Sequence, residues 1–136
     1  MSITLTKINS MVENLAEGNI NLGGTGLTVA LTNTAHTSTW DELADLTQVS
    51  YVNLSTRVLT VTSSAQTSGT YKLVLADLTL TASGAVGPFR YLYIYDDAST
   101  GDKLIGYYDY GSAITMADTD TLKLDFDPTT GALTIV

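Results

Sequence analysis

The chain has no cysteine, one histidine, two prolines and only six lysine and arginine residues in 136. Without cysteine there is neither a disulfide framework nor a thiolate metal site, so stability must come from packing or from oligomerisation. Six cationic side chains against fourteen acidic ones leave a net charge of −8. That balance disfavours nucleic acid as a partner, because a phosphate backbone requires a basic footprint. No stretch approaches the length of a membrane span, and MSITLTKINS lacks a basic region followed by an apolar run. Neither a membrane segment nor a signal peptide is therefore expected, and the chain reads as a soluble protein made in the cytoplasm.

What is abundant is threonine, 23 residues of it, while charged residues are only 15%. The β-branched hydroxyl of threonine suits a pleated, half-exposed surface, so sheet is expected over helix. A length of 136 residues fits one domain. Charge is uneven: residues 1–76 carry five acidic and three basic side chains, residues 77–136 nine and three. A partner with a neutral or basic face therefore fits the second half more easily.

Six of the eight tyrosines lie between Pro88 and Gly111. Phe89, Tyr91, Tyr93 and Tyr95 alternate with Arg90, Leu92 and Ile94, the period of a strand whose successive side chains face opposite ways. Bulky residues on both faces imply that both are covered. Asp96 to Asp102 supplies the short polar residues and the glycine of a hairpin loop, and Lys103 to Tyr110 returns as the second arm. Gly106 within that arm predicts a bulge or a close backbone approach. This hairpin is expected at the middle of the core.

Around it, Ile8, Met11, Val12 and Leu15 fall at helical spacing ahead of Gly18, predicting one helix over 7–17. The GGTG run at 23–26 precedes a strand and lacks a following Lys-Ser or Lys-Thr, so it is not a phosphate-binding loop. Residues 33–50 have no strand period and read as a long excursion, with a helical turn at 40–46 capped by Thr39. Residues 49–62 resume β character, and SSAQTSGT at 63–70 reads as a polar loop. Tyr71–Leu75 and Leu78–Thr81 look like one bent strand. Ser112–Met116, Leu122–Phe126 and Ala132–Val136 are short strands between turn signals. The class implied is all-β, a β-sandwich or jelly-roll-like single domain over 1–136 with one short N-terminal helix and a possible arm at residues 1–6.

Catalytic chemistry finds little support. His36 stands near Ser38 and Asp41, but loop spacing guarantees no triad geometry, and an exposed loop histidine is the simpler reading. The aspartates at 96, 97, 102, 118, 120, 125 and 127 match no calcium-loop spacing and are routine turn formers. Trp40 serves equally well as a core or an interface anchor. No metal, cofactor or catalytic residue is expected.

The combination of SGTYKL, GPFRY, LIGYYDYGS and the FDPTTGALTIV ending resembles a family of small virion proteins of tailed bacteriophages, read as capsid decoration or cement proteins. The resemblance runs from about the helix to the end, with a compact segment at Tyr51 to Thr60 where a longer Gly-rich connection is usual. It implies a non-enzymatic, homotrimeric virion protein on the capsid surface, with the major capsid protein as partner and no membrane. Contact residues are expected in the arm, at Ile3, Thr4 and Leu5, and in the loop at His36, Thr39 and Trp40. The alternative is a tail or head-fibre module that recognises a host surface glycan through exposed aromatic rings.

Overall fold

The computed structural model describes residues 4–136. In chain order the elements are β1 (Thr6–Lys7), α1 (Met11–Ala16), β2 (Leu27–Thr32), a 3-10 turn (Leu43–Asp45), β3 (Val61–Thr67), β4 (Thr70–Leu75), β5 (Leu78–Thr81), β6 (Val86–Asp96), β7 (Lys103–Met116), β8 (Thr121–Leu124) and β9 (Leu133–Ile135). They form three antiparallel sheets, ordered β1-β7-β6-β2, β3-β4-β9 and β5-β8. The fold is all-β with one short helix.

The tyrosine-rich hairpin is the centre of the largest sheet. β6 pairs with β7 through Leu92 opposite Tyr108 and Tyr93 opposite Tyr107, and with β2 through Ala30 opposite Tyr93. Every residue from Tyr91 to Asp96 is buried, so both faces of the strand are covered as its bulk on both sides requires. The register shifts between Ile94 and Tyr95, beside Gly106. A Cβ on Gly106 would stand 2.8 Å from Leu5 and 2.9 Å from the Thr6 carbonyl oxygen. Bulge and close approach therefore occur together there. The turn is built by Asp96, whose carboxylate accepts the Ala98 amide (3.1 Å) and the Asn21 amide (2.9 Å).

Leu73 and Leu75 of β4, Leu80 of β5, Leu124 of β8 and Phe126 join the sheet residues in one core cluster. Ile8 and Met11 close it from the helical side. The helix is shorter than 7–17 because Ser10 turns its hydroxyl to Asp41 instead of capping the helix, and the chain leaves helical geometry at Gly18, φ +77°. Val12, on the expected apolar stripe, faces solvent.

Four local expectations differ from the structure. Residues 49–60 contain no regular strand; they lie along the outer edge of β2, joined by Val29 N–H to Arg57 O, Leu59 N–H to Leu27 O and Val49 N–H to Leu31 O. Asn53, Ser55 and Thr56 interrupt the apolar run, and the backbone bonds where it can. Conversely, 63–70 is not a loop. It is most of β3 and a two-residue turn at Ser68 and Gly69, with φ of 50° and 83°. β4 and β5 are separate strands in different sheets, divided at Asp77, whose carboxylate takes the Phe126 amide. Ser112–Met116 is the end of β7 beyond a bulge at Gly111, φ +82°.

Candidate binding surface

Residues 33–46 cross the face of the large sheet that carries Tyr93 and Tyr107. Ala35 and Thr37 are exposed, but His36 between them is drawn inward by aromatic neighbours. Its ring stacks on Tyr107 at 4.5 Å between centroids and meets the edge of Trp40 at 5.6 Å. Its Nδ1 lies 2.9 Å from the Tyr93 hydroxyl. Burial lowers the His36 pKa and raises that of Tyr93 far above its usual value. At neutral pH the phenol therefore keeps its proton beside a neutral imidazole, and the tautomer of the ring sets which of the two donates.

The next residues fasten the loop. Asp41 accepts hydrogen bonds from Ser10 (2.6 Å) and Asn14 (2.7 Å), and Lys103 donates to both Asp41 and Glu42. Burial alone would raise the Asp41 carboxyl, but these donors outweigh it and hold the pKa below the usual range. The hydrogen bonds to Asp41 and Glu42 raise the Lys103 ammonium in turn. Glu42 and Asp45 form a reciprocal capping box around the 3-10 turn, so the cap is Glu42 and not Thr39. Asp41 thus ties the loop to α1 and β7, and its carboxylate partners are Ser10, Asn14 and Lys103, while His36 Nδ1 is paired with Tyr93. No Ser/His/Asp relay is assembled among these residues.

The N-terminal stretch arrives at the same strand. Thr6 is opposite Tyr107 and Lys7 opposite Gly106, and Leu5 packs partly buried over the glycine. Of the six expected contact residues, Thr4 and Thr39 are exposed, Leu5, His36 and Trp40 are half-buried, and Ile3 lies outside the described residues. The structure therefore brings β1 and the His36 loop together at Tyr107, with Thr6 on the face that His36 covers and Leu5 on the other. Tyr107 and Tyr93 were not foreseen in this patch. Their alternation with Leu92 and Tyr108 was visible in the sequence, but not which face the 33–46 loop would cover.

A groove of about 640 Å³ opens on the opposite face of β7, and Thr4 and Leu5 belong to its walls together with Lys7, Tyr108, Tyr110 and Phe126. Burial pushes the Tyr108 hydroxyl up to about 12. Among the described residues no group of three or more His, Asp or Glu side chains is placed to hold a metal ion. The turn aspartates are used locally instead: Asp109, Asp120 and Asp127 accept the amides of Gly111, Ala117 and Thr129.

Compared with known protein families, curated proteins and solved structures, the chain matches none of them.

Proposed function

We propose that this chain is a non-enzymatic structural protein of a tailed-bacteriophage virion, a decoration protein that binds the outside of the head and ties neighbouring major-capsid-protein subunits together. The sequence resemblance supplies the class. The observation that carries the surface is the meeting of β1 and the 33–46 loop at Tyr107, where exposed Thr6 is registered with Tyr107 and half-buried His36 stacks on its ring next to Trp40 and exposed Thr39. An aromatic anchor ringed by short hydroxyl side chains suits a protein interface, because little side-chain entropy is lost on docking. A protein that binds only the assembled shell stabilises it by mass action, by about 1.4 kcal/mol for each tenfold excess over the dissociation constant.

The test is to mix purified protein with heads lacking it, pellet them, and count bound copies while following the heat stability of the shell. Hundreds of copies and a more heat-resistant shell are expected, with binding lost in a Thr6→Lys, Thr39→Lys double variant that still folds. Absence of binding to heads would overturn the reading.

One observation favours the glycan alternative. The groove beside Tyr108 and Tyr110 combines aromatic rings with a polar rim, the chemistry that stacks and hydrogen-bonds a sugar. Binding of the isolated protein to a glycan array, abolished by Tyr110→Ala, would support that function in place of decoration.

A further inference from the structure

An edge strand exposes a row of unpaired amide and carbonyl groups, and proteins blunt such edges with charge, proline, bulges, brevity or a cover. The edges of this fold are managed in those ways, with one exception. β2 is covered by residues 48–59, and β5 by Ser55, whose amide bonds Thr81. β1 and β9 are two and three residues long, and β8 is four long and carries Lys123. β7 beyond β1 is bulged at Gly111. β3 has none of this protection along its regular part: it is seven residues long, and residues 62–67 are all exposed. No ionisable side chain other than Tyr71 occurs between Arg57 and Lys72.

The hairpin register shows which backbone groups are free. Ser68 and Gly69 both have positive φ, the geometry of a type I′ turn, so the flanking Thr67 and Thr70 form a hydrogen-bonded pair. Bonded and non-bonded pairs then alternate, making Ala65 with Lys72 and Ser63 with Val74 bonded, and leaving Ser64 and Gln66 with amide and carbonyl directed away from β4. Among the described residues no hydrogen bond from outside the β3–β4 ladder reaches the backbone of 62–67.

We infer that β3 pairs antiparallel with β3 of a second copy of this chain, about a two-fold axis at Ala65. Residues 63–67 are the part in regular register, since the ladder shifts between Val61 and Ser63, and Ala65 is their centre. About that axis Ser64 bonds to Gln66 of the second copy and the reverse, and Ser63 faces Thr67. Ala65 faces itself in a non-bonded pair, where facing Cα atoms approach to about 4.5 Å and a small side chain is needed. The register selects the occupant, because the outward groups of Ser64 and Gln66 are self-complementary about the axis, and charge selects the edge. Two molecules of net charge −8 repel, and β3 is the long open strand at which they can meet without bringing ionised groups together. The hydroxyls of Ser63 and Thr67 then face each other across the junction, while Ser64 keeps its bond to the Tyr71 hydroxyl (2.8 Å) and the Gln66 side-chain oxygen keeps the Gly69 amide (3.0 Å). The contact is small and concentration-dependent, and it merges two β9-β4-β3 sheets into one.

Sedimentation equilibrium of the full chain over a wide concentration range, combined with cysteine cross-linking, tests this. A monomer–dimer equilibrium is expected, and oxidised Ala65→Cys should become a disulfide-linked dimer, since the chain has no other thiol and the spacing fits a disulfide. Thr67→Cys, which faces Ser63 and not itself, should not cross-link. Ala65→Lys should weaken dimerisation at least about tenfold by placing like charges opposite one another. Ser64→Pro should do the same by removing an outward amide while leaving the β4 ladder intact, and circular dichroism verifies that both variants fold. A monomer with no selective cross-link, a trimeric mass, or a dimer indifferent to both substitutions would each overturn the proposal. A head-binding result in either direction leaves it standing, because it does not depend on the decoration reading.

Discussion

His36 shows how one side chain can link a loop to a sheet and make the link depend on pH. Its desolvated ring keeps a pKa below the usual 6.5, so the folded protein binds the histidine proton less readily than the unfolded chain. The stabilisation is therefore fully present above pH 6.5 and is lost as pH falls through the lowered folded value. A His36→Ala variant should be less stable at pH 8 by about 1–3 kcal/mol, because it leaves the buried Tyr93 hydroxyl without its partner. The gap to the wild type should narrow between about pH 7 and pH 5, where wild-type His36 begins to pay for staying neutral. Urea unfolding at a series of pH values measures both; a gap constant with pH would show that His36 does not titrate with folding. The acid losses from Asp41 and Asp109 come lower, because their carboxyls are held below the usual range and their contributions persist above 3.8.

At the scale of elements, what could be read from the sequence followed from what is buried. The β6–β7 hairpin was legible because Tyr and Leu alternate on two covered faces, and Gly106 was legible because a strand glycine needs a reason. The reason is β1. Gly106→Ala should cost about 1–3 kcal/mol and loosen the N-terminal stretch, since the new Cβ must displace the Thr6 carbonyl. Hydrogen exchange should then quicken at the Ile8 amide, which bonds to the Ile105 carbonyl (3.0 Å), while the Val29 amide in β2 stays protected. Uniform loss of protection would instead mean that β1 is not an independent unit. β3 was illegible for the converse reason. Its side chains 62–67 touch solvent on both faces, so no hydrophobic period marks it, and only Ser-Gly in a two-residue turn betrays the hairpin. Residues 49–60 misled in the other direction, their Val, Tyr and Leu being spent on covering β2 without regular pairing. The approach of β1 to the His36 loop was not legible, because only the three-dimensional register at Tyr107 joins the two stretches.

Across the whole molecule, acidity and an uncharged edge act against each other. A chain of net charge −8 with a sequence pI near 4.2 repels its own copies at neutral pH. If two copies meet at β3, the repulsion comes from carboxylates elsewhere on each surface, at distances that dissolved salt screens efficiently. Raising ionic strength from about 10 mM to about 300 mM shortens the screening length from about 30 Å to well below 10 Å. The contact itself, made of backbone bonds and hydroxyl pairs, loses nothing in the process. Self-association should therefore tighten several-fold with salt, and tighten again as pH approaches the pI. An interface made of ion pairs between the acidic second half and the six cationic side chains would weaken over the same salt range. Sedimentation at the two salt concentrations separates these cases by the sign of the change: tightening supports the neutral edge, and weakening assigns self-association to the charged surface.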